Sequence, residues 1–287
     1  MAILSISSQV SRGYVGNSAT LAALHILGVE VWTIPTIILS NHKGYKHCFG
    51  TESSPEDILT QFEALEQNGW LGEIDAILTG YMASPEQVKT CAEIVARVKT
   101  ANDGAFFWCD PVLGDEPGGL YVAETIAVAM ARHLVPLADI LSPNAFELGW
   151  LTGRTIEDAD AARKASATLK CSAVMATSIP DEKPNTISNL LVQGQDMWRI
   201  NHQKFDDIPH GTGDLFTALA CGHFLKSGGN RSLQTSALKT ALENASSSLF
   251  ALAKRNAGSR DDNLSLSDIR DTTLSPDTFL KATKGSP

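Results

Sequence analysis

The chain predicts an α/β fold: a mainly parallel central sheet with helices on both faces and an antiparallel edge. Three observations lead there. Strand-like apolar runs alternate with amphipathic stretches over most of the 287 residues, the pattern of a layered α/β domain. Polar clusters fall where the strands end, the rim at which such sheets bind ligands. Ile187 to Val192 and Met197 to Ile200 flank a short Gln193-Gly194-Gln195-Asp196 turn, which reads as a hairpin.

Ile3 to Ile6 is the first expected strand and Val31 to Leu39 the second, with Pro35 pointing to an edge or a bulge. Between them a helix carries Ala19, Leu21, Ala22, Ala23, Leu24 and Ile26 and stops at Gly28. Ser54 followed by Pro55 opens a second helix, with Ile58, Leu59, Phe62 and Leu65 on one face and Asn68-Gly69 at its end. Ala76 to Tyr81 is a strand with a polar end. Ser84-Pro85 then caps a helix that turns Val88, Cys91, Ala92, Val95 and Val98 inward. Phe106 to Cys109 is a strand running into Asp110-Pro111, and Gly114 to Gly119 is an acidic, flexible loop suited to a lid.

A helix over Val122 to His133, a short strand at Ala138 to Leu141 and a helix opening at Ser142 to Leu148 follow. Ala173 to Ala176 is a strand. After the hairpin come two long helices, one from Gly211-Thr212-Gly213-Asp214 and one from Leu233 to Leu252. Gly258 to Asp271 reads as a polar surface loop and Pro276 to Ala282 as a C-terminal helix. No repeat divides the chain, so residues 1–287 are expected to form one domain.

With 43% hydrophobic residues the chain can bury a large core, and a net charge of −9 argues against a nucleic-acid or anionic-membrane partner. Five widely spaced cysteines without a C-x-x-C pair read as cytosolic thiols. No window suggests secretion or a membrane span. The expected location is the cytoplasm and the expected partner a small molecule.

The most chemical segment is Gly211-Thr212-Gly213-Asp214, where a polar stretch meets the apolar helix of Leu215, Phe216 and Ala218. Amides of a first helical turn lack intrahelical partners and carry the positive end of the dipole, so they accept phosphate. An aspartate beside them can take a proton from a hydroxyl. By itself this is equally a glycine-rich loop with an acidic first turn. Ser7-Ser8, Ser40-Asn41-His42, Thr79-Gly80-Tyr81, Asp110, Asn144 and Glu147 fall on the same predicted rim, and that convergence favours a shared active site. No P-loop sequence is present.

The Gly-Thr-Gly-Asp-Leu-Phe segment resembles the anion-hole signature of ribokinase-like small-molecule kinases. Ser8-Gln9-Val10-Ser11-Arg12-Gly13-Tyr14-Val15-Gly16-Asn17 and Ser40-Asn41-His42-Lys43-Gly44-Tyr45 are similar to the vitamin B6 branch. With Leu78 to Tyr81, Cys109 to Asp115, Pro143 to Leu148 and Ala176-Thr177-Ser178, the resemblance to pyridoxal kinases spans nearly the whole chain in order.

That resemblance implies ATP-dependent phosphorylation of the 5′-hydroxymethyl group of pyridoxal, with pyridoxine and pyridoxamine as further substrates. It implies Asp214 as catalytic base, with Gly211, Thr212 and Gly213 as anion hole. Ser8, Lys43, Gly44 and Tyr81 would line the pyridine pocket. Asp110, Asp115, Ser142, Asn144, Glu147, Thr177 and Ser178 would attend ATP, joined by Thr212 and Gly213. Asp110 and Glu147 would hold Mg²⁺. The resemblance also admits a monovalent cation and implies a homodimer. Two positions depart from the family pattern: Gln9 stands where His is common, and Lys43 where a small hydroxyl residue is common. Lys43 could meet an aldehyde or an anion, and the expectation is an ammonium pointing to solvent. The nearest alternatives are a hydroxymethylpyrimidine kinase and a non-catalytic B6-binding protein.

Overall fold

Neighbouring residues of the central strands part to opposite faces, and both faces are apolar. Ile3, Ala76, Phe106, Ile140 and Ala173 belong to one buried cluster, while Leu4, Ile77, Phe107 and Leu141 belong to another across the sheet. Strands buried on both sides have no reason to alternate with polar residues, which is why they read as continuous apolar runs. The computed structural model describes residues 1–206, 208–258 and 263–285. Its strands are β1 (Ala2–Val10), β2 (Glu30–Leu39), β3 (Gly50–Glu52), β4 (Ile74–Thr79), β5 (Phe106–Cys109), β6 (Gly114–Asp115), β7 (Gly119–Leu120), β8 (Ile140–Leu141), β9 (Ala173–Pro180), β10 (Thr186–Gln193), β11 (Asp196–Gln203) and β12 (Thr283–Lys284). Its helices are α1 (Asn17–Ile26), α2 (Pro55–Gln67), α3 (Pro85–Ala101), α4 (Glu124–Ala129), α5 (Ala145–Thr152), α6 (Ala159–Ser166), α7 (Thr212–Lys226), α8 (Thr235–Asn256) and α9 (Leu266–Leu274).

A ten-stranded sheet runs in the order β12-β11-β10-β9-β8-β5-β4-β1-β2-β3. The pairs from β2 through β1, β4, β5 and β8 to β9 are parallel. Helices α1, α7, α8 and α9 cover one face, and α2, α3 and α4 the other, with α5 and α6 beside them over β9 and β10. The local signals work as chemistry requires. Ser54 and Asp57 close a capping box on α2, Ser84 accepts the Gln87 amide at the start of α3, and Asn144 and Glu147 close a second box on α5. The β1–β2 register shifts between Ser7 and Gln9, opposite Pro35, so the proline marks a bulge.

Several expectations need correction. β1 runs on to Val10, which puts Ser7 and Ser8 within a strand instead of after it. β9 likewise continues through Thr177 and Ser178 to Pro180. The antiparallel β3 closes the other side of the sheet, so both edges are antiparallel and not one. The helix expected over Val122 to His133 is short: α4 ends at Ala129, and Met130–Leu134 widens to i→i+5 winding. The acidic 114–119 segment is no irregular loop, since β6 and β7 pair as a small hairpin. Within the polar 258–271 stretch, residues 259–262 lie outside the described residues, and the remainder contains α9, capped by Ser265. Pro276 to Ala282 is not helical: it leads into β12, where the Ala282 amide and the Lys281 ammonium both reach the Glu243 carboxylate of α8.

Candidate active site

Strand order reverses at β1, whose neighbours are β2 on one side and β4 on the other. A crevice forms where crossovers part in opposite directions. It is lined by Ser5 and Ser7 of β1, Thr20 of α1, Thr79 and Gly80 at the end of β4, and Asp110, Asp214 and Thr217. Buried Asn17 ties its floor together, accepting from the Ser5 hydroxyl at 2.7 Å and donating to the Ser7 carbonyl at 3.0 Å.

The turn that opens α7 is built for close approach. Gly211 has φ 96°, and a Cβ there would lie 1.8 Å from the Tyr14 carbonyl oxygen. Only glycine fits both demands. The first intrahelical bond runs from the Leu215 amide to the Gly211 carbonyl at 2.9 Å, leaving the Thr212, Gly213 and Asp214 amides in the turn ahead of it. Gly213 is exposed, and nothing lies within 4 Å of its Cβ position, so its surroundings are open to a ligand. Burial in the crevice pushes Asp214 up to about 6, against the opposing effect of a hydrogen bond from the Gly16 amide. Gly16 therefore belongs to the site although the sequence reading gave it no role. Its φ is 53°, and a Cβ would collide with the Ser8 carbonyl and hydroxyl oxygens, each at 2.3 Å.

Across the crevice the acidic residues form one connected group. Buried Asp110 accepts the Thr217 hydroxyl at 2.7 Å, and Thr217 meets the Ser142 hydroxyl at 3.0 Å. Burial raises the Asp110 pKa well above the usual carboxylate range, and the charges of Glu147 and Asp214 raise it further. Burial pushes Glu147 up to about 7, opposed by the Asn144, Leu113 and Gly114 amides. Those amides lie 3.0, 2.7 and 3.4 Å from its carboxylate. Asn144 in turn donates to the Gly114 carbonyl at 2.7 Å, fastening the β6–β7 hairpin to the start of α5. Asp115 lies on that hairpin, where the Tyr121 hydroxyl bonds its carboxylate. Thr177 joins Asn144 through a parallel bridge, and Ser178 is exposed with φ 56°. Val112 has φ 44°, an unfavourable conformation for a β-branched residue. Its amide bonds Asp110. Thr217 and Val112 escaped the sequence reading, although Thr217, three residues after Asp214 on a helix, could have been placed on the same face.

On the opposite rim the 40–49 loop arches over the crevice. Ser8 is buried, and Tyr81 is fixed at both backbone ends, its amide donating to Ser7 Oγ at 3.1 Å and its carbonyl accepting from Thr36 Oγ1 at 2.7 Å. Lys43 is exposed, as expected, and its ammonium meets an aromatic partner there. Its Nζ donates to Tyr81 Oη at 2.9 Å and lies 5.1 Å from the ring centre. Gly44 donates its amide to His42 Nδ1 at 3.1 Å, and the His42 ring stacks on His210 at 4.1 Å. Gln9 is turned away, donating to Ser18 Oγ at 2.8 Å. Of the residues singled out from sequence, Ser7, Thr79, Gly80, Asp110 and Asp214 line the crevice itself, Ser142 joins Asp110 through Thr217 and Glu147 acts on it by charge, and the Lys43–Tyr81 pair lies next to Gly80 outside that lining.

This arrangement has counterparts. A family model described as phosphomethylpyrimidine kinase matches residues 12–250. Pyridoxal kinase PdxY of Leifsonia xyli is 34% identical over 281 residues, covering 96% of each chain. Human pyridoxal kinase is 32% identical over 271 residues, 88% of this chain and 84% of that one. The chain belongs to the pyridoxal kinase family. The pyridoxal kinase of Leishmania donovani, solved in complex with ADP and pyridoxamine, superposes with a TM-score of 0.90 at 28% identity over 99% of both chains. A putative phosphomethylpyrimidine kinase from Bacteroides thetaiotaomicron, 22% identical with a TM-score of 0.84 over 99% of this chain and 97% of that one, shares the fold.

Proposed function

We propose that this chain transfers the γ-phosphoryl group of ATP to the 5′-hydroxymethyl group of pyridoxal, with pyridoxine and pyridoxamine as further acceptors. The observation that carries the reading is the α7 turn: Asp214, raised to about 6 by burial, lines the crevice in the same helical turn as Gly213, which is exposed with nothing within 4 Å of its Cβ position. Asp214 accepts the hydroxyl proton as the oxygen attacks phosphorus. The Thr212 and Gly213 amides, shaped by Gly211, stabilise charge on the transferring group. Ser8, Gly44 and Tyr81 hold the pyridine ring. Asp115, Ser142, Asn144, Thr177 and Ser178 position the nucleotide, and the β6–β7 hairpin shields it from water.

The donor set fits Mg²⁺. Burial raises the pKa of both Asp110 and Glu147, the Glu147 charge raises Asp110 further and the Asp115 charge does the same to Glu147, a crowding of carboxylates that a divalent cation relieves. Mg²⁺ commonly uses one or two carboxylates together with substrate phosphates and water. Bound there, it would neutralise phosphate charge.

Five free thiols support a reducing, cytoplasmic setting. Exposed Ile38 and Phe49 beside the β3 edge support a homodimer, which light scattering would test. Activity is tested by coupled ADP release with pyridoxal, pyridoxine, pyridoxamine and hydroxymethylpyrimidine in parallel. Turnover of the three B6 vitamers with little on the pyrimidine is expected. Preference for the pyrimidine, or no turnover at all, would overturn the reading.

A further inference from the structure

Lys43 is the site residue whose charge the proposed reaction leaves unused. Its ammonium is held by Tyr81 Oη at 2.9 Å and lies 5.1 Å from the centre of that ring. Tyr81 directly follows Gly80, which lines the crevice with Asp214, and both backbone groups of Tyr81 are fixed by Ser7 and Thr36. The loop bearing Lys43 is fixed as well. His42 accepts the Gly44 amide and stacks on His210, the residue before the Gly211 turn. Lys43 makes no ion pair among the described residues, so its charge is not neutralised locally. Arg12, the other strong cation nearby, is 5.7 Å from the Tyr45 ring centre.

We propose that Lys43 is a specificity-determining residue that disfavours pyridoxamine relative to pyridoxal and pyridoxine by charge. This rests on the reading that the Tyr81 side of the crevice holds the pyridine ring. The vitamers differ only in the 4′ substituent, which is an aldehyde, a hydroxymethyl or an aminomethyl group. The first two offer an oxygen that accepts a hydrogen bond from an ammonium. The third is itself an ammonium near neutral pH, as alkyl amines are. Two unit positive charges brought within several ångströms repel even at the exposed rim where Lys43 lies, and neither can accept a hydrogen bond from the other. A small hydroxyl residue at this position would impose no such penalty.

The test is kcat/KM for the three vitamers in the parent chain and in Lys43→Thr, Lys43→Met and Lys43→Arg, with direct binding of pyridoxal and pyridoxamine measured calorimetrically. The pyridoxal-to-pyridoxamine ratio should fall roughly two- to five-fold in Lys43→Thr and Lys43→Met, the scale of one solvent-exposed charge contact. Lys43→Arg keeps the charge and should keep most of the ratio. An unchanged ratio in Lys43→Met, or an equal fall in Lys43→Arg, would overturn the inference, and so would calorimetric affinities whose ratio does not move. Failure of the parent to phosphorylate pyridoxal would instead overturn the kinase reading. A parent that turns pyridoxal over, with a ratio indifferent to Lys43, would sink the charge filter alone.

Discussion

At residue scale the crevice separates groups that react from groups that hold. Asp214 has a raised pKa of about 6 because its charged form is desolvated, and a base poised near neutrality both accepts and releases a proton readily. Asp214→Asn should lower kcat by about 10²–10⁴ while nucleotide binding persists. In the parent, kcat/KM should fall on the acid side with an apparent pKa near 6. A flat profile through that range, or near-normal turnover by the variant, would remove Asp214 from proton transfer. Glu147 combines both duties. Its two oxygens accept three backbone amides that anchor α5 and the β6–β7 hairpin, yet it also repels Asp110. Glu147→Gln should therefore shift the Mg²⁺ titration of activity to higher concentration and cost about 1 kcal/mol of stability, because an amide nitrogen must face a donor that an oxygen accepted. A lowered melting temperature with an unmoved Mg²⁺ titration would leave Glu147 as a cap only.

At the scale of elements, the α7 turn makes its glycines separable. Gly211 is required by the fold, since a methyl group would strike the Tyr14 carbonyl at 1.8 Å. Gly213 has open space at its Cβ position, so the fold does not demand it, whereas the proposed anion hole does. Gly211→Ala should lower both melting temperature and turnover, whereas Gly213→Val should fold with little more than the usual helix cost of a β-branched residue, about 1 kcal/mol or less, and lose ATP turnover. Retained turnover in Gly213→Val would put the anion hole elsewhere. The same turn shows what sequence makes legible. Glycine beside aspartate before an apolar helix announces its geometry locally, and so do Ser54-Pro55, Ser84-Pro85 and Asn144 with Glu147, because caps are made by residues three apart. What stayed hidden depends on distant partners. The Gly16 amide reaches Asp214 only because α1 and α7 are packed together, and Val112 is held in its strained conformation beside Asp110 only in the folded site. Pro276 to Ala282 carries apolar residues at spacings compatible with a helix, but Glu243 and the β11 edge take its backbone into an extended path. The exposure of Lys43 was legible but its partner was not, because nothing in its neighbourhood of the sequence reveals Tyr81, 38 residues away.

For the whole molecule, the layered order was readable because apolar runs and amphipathic helices alternate along the chain, and the crevice follows from strand order. That order places three carboxylates in one desolvated space, an arrangement selected for chemistry at some expense of stability. The sign follows from linkage. Asp214 has an ordinary value of 3.8 and a folded value of about 6, so the native state binds more protons than the unfolded chain between those values. Its contribution is favourable below about pH 4, declines as pH rises through 6, and is a fixed penalty above that. Glu147, at about 7, extends the decline toward neutrality, and Asp110 acts in the same direction. Asp214→Asn cannot ionise and escapes this penalty. It should therefore melt close to the parent at pH 4 and above it at pH 7.5, by on the order of 1–2 kcal/mol once solvent screening at this partly exposed group is allowed for. Mg²⁺ with ATP should narrow the gap by stabilising the ionised parent through mass action. Thermal melts of both proteins across that pH range, with and without Mg²⁺-ATP, make the comparison, and a stability difference independent of pH would show that the carboxylate is not held in a desolvated native environment.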